Sequence, residues 1–148
     1  MAEKYAGIDF RYAGFWLRLV SSIIDAGILL ILVWILSLVY GVSITSPSHT
    51  GDDFLIFRLF ELTSIFAAWI YFAVMESSLA QATIGKLFIG IYVTDMDGDR
   101  LAFSRASIRY WLKYLTIFTF LIGFLISAFT KKKQTVHDMI VKSLVLKR

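Results

Sequence analysis

The 148-residue chain contains no cysteine, and its one proline is Pro47. Without thiols it cannot form disulfides, thiolate metal sites or a cysteine nucleophile. Charged residues are also scarce, at 18% of the chain, whereas 58% of the residues are hydrophobic and the mean hydropathy is +0.73. A soluble domain of this length could not bury so much apolar surface. The composition therefore predicts a single α-helical integral membrane domain over residues 1–148.

Two other classes of function find little support in the composition. The net charge of +4 is modest, and the aromatic residues lie in apolar runs rather than among basic residues, which is a poor pattern for nucleic-acid binding. The two histidines, His49 and His137, lie far apart in the sequence, and no nucleophile–base pair is evident. We therefore expect neither an enzyme nor a cofactor or metal site.

The first long apolar run extends from Phe15 to Tyr40. As a helix it would be about 39 Å long, which is enough to cross a bilayer with some tilt. Arg18 lies at its start, where the long side chain can reach back to the head groups. Asp25 is the one charged residue in Leu19–Tyr40. A carboxylate at this depth costs about 3 kcal/mol to insert, so the fold must offset that cost.

A second apolar run predicts another span at about residues 55–75. Arg58 and Glu61 lie near its start, three residues apart and so on one helix face. We expect a local ion pair at the interface there rather than a role in transport. Glu76 closes the run, and the connection from Gly41 to Asp53 carries no lysine or arginine.

Residues 85–103 change in character and predict a small cytoplasmic β-hairpin. β-branched residues are frequent in Leu87–Thr94, and a second short segment, Arg100–Phe103, follows the turn-forming pair Asp97-Gly98. Near the end of the chain, Ser143–Leu146 also reads as a strand, which we expect to add to the edge of this hairpin.

A third apolar segment, at about residues 105–130, leaves two topologies open. Positively charged residues favour the cytoplasmic side, which places the amino terminus and the hairpin in the cytoplasm. A third full span would carry the lysine-rich tail, residues 131–148, to the outside. The alternative is a re-entrant helical hairpin bent near Gly123, which keeps both termini in the cytoplasm of a bacterial-type plasma (inner) membrane. We favour the re-entrant hairpin, and the length of the segment also allows the third span.

Several polar residues occur in an ordered pattern along the chain, from Tyr12 to Val145. An arginine and an aspartate in the first span precede a Thr-x-Gly-Lys segment, further glycines around Val-x-Asp, another arginine and a His-Asp pair: Arg18, Asp25, Thr83, Gly85, Lys86, Gly90, Val93, Asp95, Gly98, Arg109, His137 and Asp138. In this order and spacing the chain resembles the RDD family of membrane proteins, named for one arginine and two aspartates. It departs from the family at Ile84, where proline is frequent, and at Lys142-Ser143, where Gly-Thr is frequent. The resemblance implies a membrane architecture. For some members ion transport, including sodium–proton antiport, has been suggested.

Two roles remain open for Asp25 and the residues around it. As an ion or proton site, Asp25 would exchange a proton for a cation, with added oxygens from Ser21 and Ser22 one turn away. As part of a structural network, Asp25 would pair with Arg109 or Lys86, and Arg18 with Asp138. Transport by a chain with so few spans would require a homo-oligomer in the lipid bilayer, with sodium ions and protons as the transported species. A structural network would instead make the chain a non-transporting, accessory membrane protein.

Overall fold

The computed structural model describes residues 11–44, 53–118 and 134–148. Two helices in these ranges, α1 (Phe15–Tyr40) and α2 (Asp53–Ser77), are long and apolar enough to cross a membrane. Both coincide with the predicted spans. The buried residues of α1 are all polar, namely Arg18, Ser21, Asp25 and Ser37, while its apolar side chains are largely exposed. This distribution is the reverse of a soluble helix and suits a helix surrounded by lipid.

The two long helices run antiparallel to each other. Near one end, the hydroxyls of Tyr40 and Thr63 are 2.8 Å apart. Toward the other end, the Tyr71 hydroxyl donates to Asp25 Oδ1 at 2.9 Å. Asp25 therefore faces α2 rather than lipid.

Four short elements and one longer helix complete the described chain. They are α3 (Ile84–Ile89), β1 (Ile91–Asp95), α4 (Phe103–Phe118), α5 (Val136–Val141) and β2 (Ser143–Lys147). Helix α3 begins after Thr83, whose hydroxyl accepts a hydrogen bond from the Lys86 backbone N–H, and it ends at Gly90, which has a φ of 74°. A polar N-cap and a left-handed glycine are the usual boundaries of a short helix.

The predicted hairpin is therefore wrong in two respects. The first half of Leu87–Thr94 is helical, and Arg100–Phe103 is not a strand. The turn itself exists: Gly98 has a φ of 85°, and Asp95 Oδ1 accepts hydrogen bonds from the backbone N–H groups of Asp97 and Asp99. Beyond the turn, Leu101 is buried in the core instead of pairing along β1.

The partner of β1 is the carboxy-terminal strand. β1 and β2 pair antiparallel from Ile91 opposite Lys147 to Asp95 opposite Ser143, which confirms the strand predicted at Ser143–Leu146. The Ala13 N–H also donates to the Val145 carbonyl at 2.8 Å. These contacts hold the small sheet beside the start of α1, over an apolar core formed by Ala13, Ile91, Val93, Leu101, Val141 and Val145.

The first part of the third apolar segment is α4, which packs along α2. Residues 119–133 lie outside the described part of the chain, and so does the predicted bend near Gly123. The choice between a re-entrant hairpin and a third span falls within that gap. His49 and Pro47 also lie outside the described residues.

Candidate functional site

A buried carboxylate at the end of α2, Glu76, is bound by three cations. Glu76 is 1% exposed. Its Oε2 accepts a hydrogen bond from Arg109 Nη1 at 2.8 Å, and its Oε1 accepts from Lys86 Nζ at 2.5 Å and from Lys113 Nζ at 3.3 Å. Lys86 comes from α3, and Arg109 and Lys113 from α4. Glu76 thus joins three helices through one side chain.

Asp138, at the start of α5, extends this arrangement to α1. Its Oδ1 accepts from Arg109 Nε at 2.8 Å, and its Oδ2 accepts from Arg18 Nη1. The pairing of Arg18 with Asp138 is the one expected from the sequence. Burial alone would raise the pKa of Asp138, but Arg109 and Arg18 hold it well below its usual value. Asp138 is therefore a permanent anion at neutral pH.

Together these six side chains form what we call the charge network: Arg18, Glu76, Lys86, Arg109, Lys113 and Asp138. Arg109 lies at its centre, because its guanidinium bridges Glu76 and Asp138. Each carboxylate contacts at least two cations, so neither is available to a further cation without losing an ion pair. Removing one member of a buried pair typically costs about 3–5 kcal/mol, because the partner is left uncompensated.

His137 stands beside the network but takes no part as a cation. Its Nε2 lies 2.9 Å from the Thr135 hydroxyl and 3.7 Å from Asp138 Oδ1. Burial lowers the pKa of His137 to about 3, so its ring is neutral at pH 7. The same segment begins α5 with a reciprocal cap, in which Asp138 Oδ2 accepts from the Thr135 N–H.

Asp25 lies apart from the charge network and is bound by neutral donors. It is 2% exposed. Its Oδ2 accepts from the Thr83 hydroxyl at 2.6 Å, while its Oδ1 accepts from the Tyr71 hydroxyl and from the Gly85 N–H, both at 2.9 Å. Among the described residues, no cation forms a salt bridge with Asp25.

The predicted pairing of Asp25 with Arg109 or Lys86 is therefore wrong. Both cations belong to the charge network, but both reach Glu76 instead. The reason is geometric. The first turn of α3 brings Thr83 and Gly85 against Asp25, whereas Lys86, on another side of that short helix, extends toward the end of α2.

Gly85 allows the close approach on which this arrangement depends. A Cβ at this position would lie 2.3 Å from the Ser21 carbonyl oxygen and 2.9 Å from both Cγ and Oδ1 of Asp25. No side chain larger than a hydrogen atom fits there without moving α3. The glycine is thus required for packing, and its backbone N–H completes the hydrogen bonding of Asp25.

The side chains of the remaining predicted site residues form their hydrogen bonds and ion pairs with groups other than Asp25. Ser21 and Ser22 both donate to the Arg18 carbonyl of their own helix, at 2.9 and 2.8 Å. Arg58 and Glu61 form the local pair expected from their spacing, at 2.6 Å, and both are well exposed. Neither pair of residues extends the buried site.

Sequence reasoning missed the central position of Glu76 and the donors Tyr71 and Thr83. One signal for Glu76 was present, because it is a single acid that ends an apolar run. Thr83 was also visible as part of the Thr-x-Gly-Lys segment. Nothing in the local sequence distinguishes Tyr71 from the other aromatic residues of α2. Within residues 11–44, 53–118 and 134–148, no group of three or more His, Cys, Asp or Glu residues could hold a metal ion.

Comparison with known proteins identifies the family of this chain. The model of the RDD family matches residues 12–142, which include the whole charge network and Asp25. An uncharacterised protein of Bacillus subtilis (strain 168), YxaI, is 31% identical over 147 residues, covering 90% of this chain and 96% of that relative. An uncharacterised membrane protein of the same strain, YteJ, is 27% identical over 157 residues, covering 94% of this chain and 83% of that relative. No solved structure matches the chain. The chain belongs to the RDD family, and it is a membrane protein.

Proposed function

We propose that the protein exchanges a proton for a cation at Asp25 within the membrane. One observation carries the proposal: Asp25 is a buried carboxylate in a candidate span, and every hydrogen-bond donor that the described residues offer it is neutral. Glu76 and Asp138, by contrast, are each held by at least two cations. Within the described part of the chain, an ion arriving at Asp25 has no ion pair to break. An ionisable residue at such a position is a candidate for a functional site on physical grounds.

The chemistry of the surrounding groups suits such an exchange. A carboxylate and two hydroxyl oxygens, those of Tyr71 and Thr83, are hard oxygen ligands of the kind that alkali cations prefer. Both hydroxyls can rotate and present lone pairs to a cation. When Asp25 is protonated instead, its own O–H can donate to Thr83 Oγ1. Proton and cation then compete for one carboxylate, which is the basis of antiport.

The proposal includes a topology in which α1 and α2 both cross a bacterial plasma membrane. Both termini lie in the cytoplasm, because the lysine and arginine residues concentrate on that side. The absence of cysteine makes single-cysteine labelling in intact cells direct. Ile44→Cys, beyond the end of α1, should react with a membrane-impermeant reagent, whereas Lys147→Cys should not. The opposite labelling pattern would reject this topology.

Flux measured in vesicles containing only the purified protein tests the exchange itself. A sodium gradient should move the internal pH, and Asp25→Asn should abolish the change while the protein stays folded. Glu61→Gln is the matched control, since it removes an exposed carboxylate of α2 that pairs with Arg58 of the same helix. Equal flux in the wild type and Asp25→Asn would exclude Asp25 as the exchange site.

A second candidate function is structural, and the close packing of Gly85 favours it. Asp25 accepts hydrogen bonds from Gly85 and Thr83 at the start of α3. Its one role would then be to hold α3 against α1. The protein would then be a non-transporting accessory component of the membrane. Under this alternative the wild type carries no flux. Asp25→Asn melts early, because both carboxylate oxygens accept hydrogen bonds and the amide nitrogen that replaces one of them can only donate.

A further inference from the structure

Helix α3 has its charge inside and its apolar side chains outside. Lys86 is only 7% exposed and points into the charge network, whereas Phe88 is 78% exposed. Ile84 and Phe88 are four residues apart and share one face of the helix, which we call the Ile84–Phe88 face. A short helix on the surface of a soluble domain would show the reverse pattern. Leu79, in the turn before α3, is 89% exposed as well.

The depth of α3 follows from its contacts with the two long helices. Its first turn lies against Asp25 of α1 and Tyr71 of α2. From Asp25 to the end of α1 at Tyr40 the helix is about 22 Å long, and from Tyr71 back to Phe54 it is about 26 Å. The hydrocarbon core of a bilayer is about 30 Å thick. If one boundary of that core lies at the far ends of both helices, Tyr40 and Phe54, the other boundary lies roughly 4–8 Å beyond the first turn of α3, which is the difference between about 30 Å and the two lengths.

Backbone polar groups at both ends of α3 are hydrogen-bonded within the protein, which suits an environment without water. The first four N–H groups of a helix have no partner within it, and in lipid each would be costly. In α3 the first three helical residues have acceptors in side chains of the protein. The N–H groups of Ile84, Gly85 and Lys86 donate to the side chains of Tyr71, Asp25 and Thr83, and the regular helical hydrogen bonds begin with the N–H of Leu87, which donates to the Thr83 carbonyl. At the other end, the Gly90 N–H donates back to the Leu87 carbonyl.

We propose that the segment from Leu79 to Ile89 is a re-entrant element, whose Ile84–Phe88 face contacts the acyl chains of one leaflet. The inference rests on the crossing of the membrane by α1 and α2 proposed above, but not on exchange at Asp25. The chain leaves α2 at Ser77, returns to the depth of Tyr71 at the start of α3, and then runs back toward the sheet beside the start of α1. Ile84 therefore lies deeper than Phe88.

Lipid is the occupant that fits this surface. Helix α3 packs directly on α1 at Ser21 and Asp25, and many apolar side chains of α1 are exposed as well. The exposed charged residues lie instead at the small sheet, where Asp97 stands in the turn after β1 and Lys147 stands in β2. We place these residues at the level of the lipid head groups. Water would instead require polar side chains on the Ile84–Phe88 face.

Spin labels on single cysteines test the proposal in reconstituted vesicles, with oxygen and a polar nickel complex as collision reagents. Labels are placed at Ile84 and Phe88, with Trp34 as the control on the exposed side of α1 and Asp97 as the control in the exposed turn. The oxygen-to-nickel collision ratio at Phe88 should be several-fold higher than at Asp97. The ratio at Ile84 should be higher still and approach that at Trp34.

Two results at α3 would overturn the proposal. Ratios at Ile84 and Phe88 equal to that at Asp97 would place α3 in water. Low collision with both reagents, together with spin–spin broadening, would mean that a second copy of the chain covers the face. If the label at Trp34 also behaved like that at Asp97, α1 would not cross the membrane and both proposals would fail. If α3 contacts lipid but the protein carries no flux, the re-entrant element stands and exchange at Asp25 fails.

Discussion

Replacing Gly85 by alanine should loosen α3 from α1 and strip Asp25 of its backbone donor. The added Cβ would lie 2.3 Å from the Ser21 carbonyl oxygen and 2.9 Å from Oδ1 of Asp25. Carbon atoms normally pack at about 3.5–4.0 Å. The Ser21 carbonyl belongs to the backbone of α1 and cannot rotate away. The short helix must therefore move, and the hydrogen bonds of Gly85 and Thr83 to Asp25 lengthen with it.

The size of the effect can be worked from these contacts. Overpacking of a tight site costs about 1–3 kcal/mol. A weakened hydrogen bond to a charged group adds about 1.5–3 kcal/mol. We therefore expect the free energy of unfolding to fall by about 4 kcal/mol, which lowers Tm by roughly 10 °C in a chain of this size.

Gly27→Ala is the matched control for this substitution. Gly27 is also a helical glycine, but a Cβ there has no atom within 4 Å. Alanine gains about 1 kcal/mol of helix propensity over glycine at either position, so the difference between the two variants isolates the contact at Asp25. Thermal melting in detergent measures both. Equal Tm values for Gly85→Ala and Gly27→Ala would refute the close packing of α3 on α1.

Three further predictions concern the charge network. Arg18→Met and Asp138→Asn should each lower the free energy of unfolding by about 3 kcal/mol or more. The double variant should cost less than the sum of the two, with a coupling energy of about 0.5–3 kcal/mol. Strict additivity of the two effects in thermal melts would count against the pair. Burial lowers the pKa of His137 from the ordinary histidine value of 6.5 to about 3. Between pH 3 and pH 6.5 the folded protein therefore binds fewer protons than the unfolded chain. Stability should therefore fall by about 2 kcal/mol from pH 7.5 to pH 5. His137→Asn should flatten this slope, and an unchanged slope would mean that another group titrates. Glu76→Gln removes the charge that Lys86, Arg109 and Lys113 share and should cost about 3–5 kcal/mol. Glu61→Gln, at an exposed position, should cost less than about 1 kcal/mol, and similar melting of the two variants would contradict the account of Glu76.

Local properties of the sequence were enough to predict the long helices and one strand. A run such as Phe15–Tyr40 must be a span or a buried helix whatever surrounds it, because its apolar length decides its environment. The strand at Ser143–Leu146 follows in the same way from its short apolar run. At Leu87–Thr94, however, the β-branched residues obscured the helix that Thr83 and Gly90 delimit. A polar N-cap and a glycine seven residues later were the better guide to that boundary.

Of the pairings between distant residues, the ion pair of Arg18 with Asp138 was predicted from the sequence, and others were not. β1 joins a strand about fifty residues away rather than the segment after its own turn, and nothing in Arg100–Phe103 indicates this. The partners of Asp25 were mistaken for the same reason. Three carboxylates are buried among the described residues, those of Asp25, Glu76 and Asp138. Which of them Lys86 and Arg109 reach depends on where α3 and α4 meet the end of α2. The sequence analysis named Arg18, Lys86, Arg109 and Asp138 as members of a network, but it did not include Glu76 or Lys113.

Competition between sodium and protons at Asp25 is the central claim, and proton release from the purified protein tests it most directly. The protein in weakly buffered detergent solution, with a pH indicator, receives sodium chloride, and choline chloride at equal ionic strength serves as the reference. Sodium should release protons from the wild type and from Glu61→Gln, but not from Asp25→Asn. Release of the same size from Asp25→Asn, or no sodium-specific release from the folded wild type, would contradict the claim.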